Sequence, residues 1–170
     1  YLHSQLENSA ADMVVFDASG RSLHNQILAW GALAEIELAQ SLALKQASNP
    51  NMTLVKGAIS ALNNIDIEHR KSALKQFHDN WKTYPLVMEN WFFWESSSIV
   101  SGTPAKCKEL MKHPVFDLDN PNKLRSVIGG FASGNPVHFH AIDGTGYKFL
   151  AEQLLLLDKK NPQISARLAL

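Results

Sequence analysis

The chain has 170 residues, 45% of them apolar and 19% charged, with Lys+Arg and Asp+Glu equal at 16 each. This composition is that of a globular domain with a real core. It lacks the basic excess of a nucleic-acid binder, and no apolar run reaches the roughly 18 residues that span a bilayer. Cys107 is the single cysteine, which excludes an internal disulfide and a cysteine-based zinc site and fits a reducing, cytoplasmic setting. The first residue is Tyr1 rather than Met, so the sequence is expected to be an excerpt, and the lack of a targeting segment carries no weight.

Residues 1–20 show no clear periodicity and read as a linker. Leu23, Ile27, Trp30 and Ala34 then fall on one helical face, which Leu38 and Leu42 extend. The basic triplet His69-Arg70-Lys71, flanked by Asp66 and Glu68, reads as a solvated helix face. Ile67, Leu74, Phe77 and Trp81 form a second apolar stripe. Six aromatics crowd Trp81–Trp94. Single-strand binders pair such platforms with positive charge, but here Lys82 and Glu89 cancel. A core role around a turn at Pro85 is the better reading, with one edge lining a cavity.

Gly102-Thr103-Pro104 and His113-Pro114 read as short linkers. Cys107 shares a helix face with Leu110 and Met111, so a buried, inert thiol is expected. Asn-Pro occurs at residues 49, 120, 135 and 161. Asn can accept from first-turn amides, and proline at the next position gives up only an amide that would be unpaired anyway. Apolar helical patterns follow at once after Asn120 and Asn161, marking helix starts. Asp143 or Thr145 is expected to cap a helix beginning near Tyr147, whose stripe is Tyr147, Leu150, Leu154 and Leu157.

About eight helices and no sheet are predicted, joined by short turns into antiparallel pairs. The Asn120 and Asn161 starts lie about 40 positions apart, near the roughly 40–47-residue period of helical solenoids. The expected fold is therefore all-α: antiparallel helix pairs stacked in a HEAT/armadillo-like superhelix. The sequence ends soon after a helix start and without a C-cap, which predicts further helices beyond it.

Catalytic signatures are missing. None of the seven histidines (His3, His24, His69, His78, His113, His138, His140) precedes a glutamate, so the H-E-x-x-H zinc motif is absent. His138 and His140 could point the same way from extended backbone, but a zinc site needs a third ligand. A polar turn with a packed or capping histidine is the better reading. No serine stands in a G-x-S-x-G elbow, and Gly144-Thr145-Gly146 lacks a P-loop lysine.

Four ordered motifs carry a resemblance. They are Pro85-Leu86-Val87-Met88 with Trp91-Phe92; Asn120-Pro121-Asn122-Lys123-Leu124-Arg125 leading to Phe131; Asn135-Pro136 with Phe139-His140-Ala141, Asp143-Gly144-Thr145-Gly146-Tyr147 and Phe149-Leu150; and Asn161-Pro162-Gln163 with Arg167. In this order and spacing they resemble the C-terminal helical domain of bacterial aminopeptidase N, the alanyl-type zinc aminopeptidases. The resemblance is strong over about residues 77–168, looser over 21–62 and slight over 1–20.

The resemblance implies one helical domain over residues 1–170, catalytically silent, that packs on the catalytic domain of the same polypeptide and roofs its active-site chamber. The parent enzyme would remove N-terminal residues from peptides with one zinc ion held upstream, so this chain itself carries no cofactor. Arg125 and Arg167, each about a turn into a helix opened by Asn-Pro, match arginines that face the chamber. Either could bind a peptide's C-terminal carboxylate; a surface or interdomain ion pair is the competing role. Without the resemblance, a free-standing helical-repeat scaffold that binds another protein fits the residues equally well.

Overall fold

The computed structural model describes Ser4 and residues 17–169. The expected linker over residues 1–20 lies outside the described residues as far as residue 16 (Ser4 apart), and so does His3. The described part is built from helices, without a strand. It divides into two compact units, with the boundary between Asn80 and Trp81.

In the first unit, α1 (Ala18–Leu33), α2 (Glu37–Gln46) and α3 (Met52–Leu62) pack mutually, and α4 (Glu68–Trp81) follows. Asp17 opens α1 by accepting from the Gly20 amide at 2.7 Å, and Asn51 opens α3 by accepting from Thr53. The Asn49-Pro50 pair is thus not itself a helix start. Asn49 Oδ1 accepts from the Asn51 amide in a tight turn one step earlier. Glu35 takes a left-handed conformation (φ 58°) between α1 and α2, which ends the continuous stripe expected from Leu23 to Leu42.

The buried face of α1 also differs from the expected one. His24, Ile27, Leu28, Gly31 and Ala32 are buried, whereas Leu23 and Trp30 are 62% and 61% exposed. The cause is polar. His24 Nε2 bonds Gln46 Oε1 at 2.5 Å, and Gln46 Nε2 donates to the Leu54 carbonyl at 2.7 Å and to Asn25 Oδ1 at 3.0 Å. This knot ties α1, α2 and α3 together and turns the helix around it. Arg70 departs from its expected solvated face too: it is buried, with Nε donating to the Asn63 carbonyl at 2.9 Å. The stripe of α4 is as expected at Leu74 and Phe77.

In the second unit, α5 (Pro85–Ser97) is the central helix, with proline in its first turn. Around it lie α6 (Thr103–Leu110), α7 (Pro121–Leu124), a π-helical turn (Arg125–Gly129) and α8 (Gly130–Gly134). The chain continues through α9 (Pro136–Phe139), α10 (Thr145–Asp158) and α11 (Pro162–Leu168). These short pieces raise the number of described helical segments above the predicted eight. Asn120, Asn135 and Asn161 each cap the Asn-Pro helix that follows, so Asn135 joins the two expected starts.

The core of this unit is aromatic. Met88, Trp91, Phe92 and Trp94 of α5 are buried, as the core reading of that segment required. Phe92 meets Trp91, His113 and Phe116 edge to face, and Phe131 meets Phe139 and Phe149 in the same way. Below them Leu124, Ile128 and Leu157 form an aliphatic floor with Leu150, Ile164 and Leu168. The α10 stripe is rotated from the expected one: Gly146, Phe149, Gln153 and Leu157 are buried, and Tyr147 is exposed.

Candidate functional site

The site grows out of one cap and one break in helical register. Asn120 Oδ1 accepts from the Asn122 and Lys123 amides and starts α7. One turn later the hydrogen-bond ladder slips from i→i−4 to i→i−5, and the Gly130 amide reaches the Arg125 carbonyl. Such π-turns occur mostly as single insertions and frequently at functional sites. The Ser126 carbonyl accepts from Ser96 Oγ of α5 at 2.9 Å. Gly130 permits the approach: a Cβ there would collide with Ser96 Oγ and lie 3.2 Å from Phe93 Cδ2.

Against this turn α5 forms an open cleft of about 340 Å³. Leu86, Glu89, Asn90 and Phe93 of α5 form one wall; Asn122, Arg125 and Ser126 form the other. Phe93, like Tyr84, is an exposed member of the aromatic segment, and it supplies the cavity-lining edge expected of that segment. Arg125 is exposed, and its guanidinium donates to Asn122 Oδ1 at 3.3 Å. That bond holds one nitrogen of the fork and leaves the rest of it for a planar anion.

Beneath the cleft lies a group the sequence did not announce. Lys123 is 2% exposed. Its Nζ donates to the Pro85 carbonyl, lies 5.5 Å from the centre of the Phe92 ring and 4.0 Å from Glu89 Oε1. Burial pulls the amine below its ordinary pKa, and the nearby Glu89 carboxylate opposes that shift. Glu89 therefore pairs with Lys123. Its Oε1 is buried and accepts no hydrogen bond among the described residues. The cleft is thus lined by one carboxylate, Glu89, and one guanidinium, Arg125, with the Lys123 ammonium behind the carboxylate.

Arg167 is exposed in the last turn of α11, outside the lining of this cleft. Its helix packs on the π-turn, and the neighbouring Leu168 approaches Gly129. Arg125 and Arg167 thus sit on adjoining elements without sharing the cleft.

The remaining candidates have other partners. Cys107 is fully buried, and its thiol is pushed up to about 12 by burial first and the Glu95 charge second, which makes it inert. His138 Nε2 lies 3.0 and 3.1 Å from the Ile99 and Val100 carbonyls, whereas His140 Nδ1 bonds the Tyr147 hydroxyl at 2.6 Å. His138 is half-buried in the last turn of α9, and His140, just after it, is exposed. Asp143 accepts from the amide and hydroxyl of Thr145, which hold its carboxyl below the usual range, beside a left-handed Gly144 (φ 71°). Among the described residues no group of three or more His, Cys, Asp or Glu side chains is placed to hold a metal ion, and no helix is long and apolar enough to cross a membrane.

Comparison with known proteins gives the family. The aminopeptidase N of Escherichia coli K12 is 38% identical over 153 residues, 89% of this chain and 18% of the relative. That of Haemophilus influenzae Rd is 35% identical over 153 residues, again 89% of this chain and 17% of the relative. The crystal structure of Legionella pneumophila aminopeptidase A in complex with aspartic acid superposes with a TM-score of 0.84 at 28% identity, over 98% of this chain and 21% of that one. The chain therefore spans about a fifth of the length of these relatives. The family model described as a domain of unknown function (DUF3458_C) with ARM repeats matches residues 2–170, and the chain belongs to that family of all-α helical-repeat domains.

Proposed function

We propose that the chain is a non-catalytic, C-terminal domain of a zinc aminopeptidase, that it closes the active-site chamber, and that its arginines help to hold peptide substrates. The observation that carries this reading is the family match over residues 2–170, combined with relatives that are aminopeptidases about five times longer. The match runs through both compact units, which supports one functional domain over residues 1–170. The catalytic partner is then another part of the same polypeptide. A cytoplasmic location accords with the free, buried Cys107.

The described residues do not fit a zinc site. In the parent enzyme zinc would supply Lewis-acid activation of water. This domain's share is binding. Arg125, oriented by Asn122, offers N–H donors to the C-terminal carboxylate of a short peptide, a pairing suited to a planar fork. Arg167, on the adjoining helix, is the second contact.

The test is size selection by the complete enzyme. It should release N-terminal residues from short peptides and leave a folded protein with an accessible N-terminal segment uncut. Efficient release from the folded protein contradicts chamber closure. The isolated chain supplied with zinc should not turn over an aminoacyl anilide above buffer, and zinc-dependent turnover would place catalytic residues here.

A further inference from the structure

Two opposite charges line one cleft, and they are not paired with each other. Glu89 and Arg125 both border the groove between α5 and the π-turn, yet among the described residues no carboxylate forms an ion pair with Arg125. In an open groove a carboxylate and a guanidinium attract, and their pairing would consume the fork that an incoming anion needs. A third charge meets Glu89 instead. Lys123 approaches Glu89 from the buried side, at 4.0 Å, and is itself anchored by the Pro85 carbonyl and the Phe92 ring.

We propose that Lys123 is a positioning residue: by holding Glu89 toward the core, it keeps Arg125 unpaired and available for the carboxylate of a peptide substrate. This rests on the carboxylate-binding reading given above. The anchoring is specific to a long cation. The Lys123 stem is buried, and its ammonium satisfies a backbone carbonyl that begins α5 while lying over an aromatic face. The helix cap at Asn120 fixes the register, because it places Lys123 inward and Arg125, two residues on, outward. Glu89 in turn keeps the buried ammonium from standing alone, which explains a carboxylate in the wall of a cleft built to take an anion.

The prediction is a rescue. In the complete enzyme, Lys123→Gln retains a donor for the Pro85 carbonyl but removes the charge, so Glu89 is released toward Arg125. The KM for a short peptide should rise roughly tenfold, and more than the KM for an aminoacyl anilide, which has no carboxylate. Adding Glu89→Gln removes the competitor, and the double variant should return to within about threefold of the parent peptide KM. If Lys123→Gln does not fold, Lys123→Met takes its place, with the same expectation for the single and double variants. An unchanged peptide KM in the single variant, or a raised one that Glu89→Gln does not restore, overturns the proposal. Arg125→Ala measured in parallel separates the two layers. An equal loss on both substrates removes the carboxylate reading itself, whereas a peptide-selective loss with an inert Lys123→Gln removes only the role of Lys123.

Discussion

The two units bury polar groups to different ends. In the first, Gln46 bonds His24, Asn25 and the Leu54 carbonyl, and so joins three helices. In the second, Lys123 is buried beneath an open groove whose walls carry Glu89 and Arg125. A buried polar group left unpaired costs free energy in either setting. The first arrangement recovers that cost by joining three helices. The second holds charge at a surface, where it can act on a ligand. Burial alone therefore does not mark a functional group; what borders it does.

This contrast can be broken by substitution. The largest effect is expected at Phe92, which is fully buried and carries both the aromatic core of the second unit and the face beneath Lys123. Phe92→Ala should cost about 3–5 kcal/mol in denaturant unfolding and should also raise the peptide KM of the complete enzyme. Gln46→Leu strips the first unit's knot of its hub and removes the bonds to His24 Nε2 and the Leu54 carbonyl. A loss of about 2 kcal/mol is expected, with the peptide KM unchanged, since Gln46 borders no part of the cleft. A shifted peptide KM at full stability would mean the two units are not functionally distinct. Asn120→Ala removes the cap that sets the register of Lys123 and Arg125. It should cost only about 1 kcal/mol while weakening peptide binding measurably.

Much of this was legible from the residues. Asn-Pro pairs gave helix starts at 120 and 161 because the cap and the missing amide are both local effects. The aromatic run declared a core because no other use of Met88, Trp91 and Phe92 together competes with burial. Other features depended on tertiary partners. The buried face of α1 was misread because hydrophobic periodicity favoured Leu23 and Trp30, whereas His24 is drawn inward by Gln46, 22 residues away. Arg125 stood out through its motif. Its neighbours Lys123 and Glu89 did not, because 34 residues separate them and nothing local predicts that a lysine will be 2% exposed. The π-turn was likewise silent. The only sequence hint is Gly130 after Ser126, a small residue that lets α5 come close.

The central claim is that Arg125 receives the carboxylate of a peptide substrate, and the most direct measurement is the KM of Arg125→Ala in the complete enzyme for a short peptide and for the matching aminoacyl anilide. The peptide KM should rise by roughly tenfold, the loss of one charge-assisted contact, and by clearly more than the anilide KM. Equal changes on the two substrates, or no change on either, would contradict it.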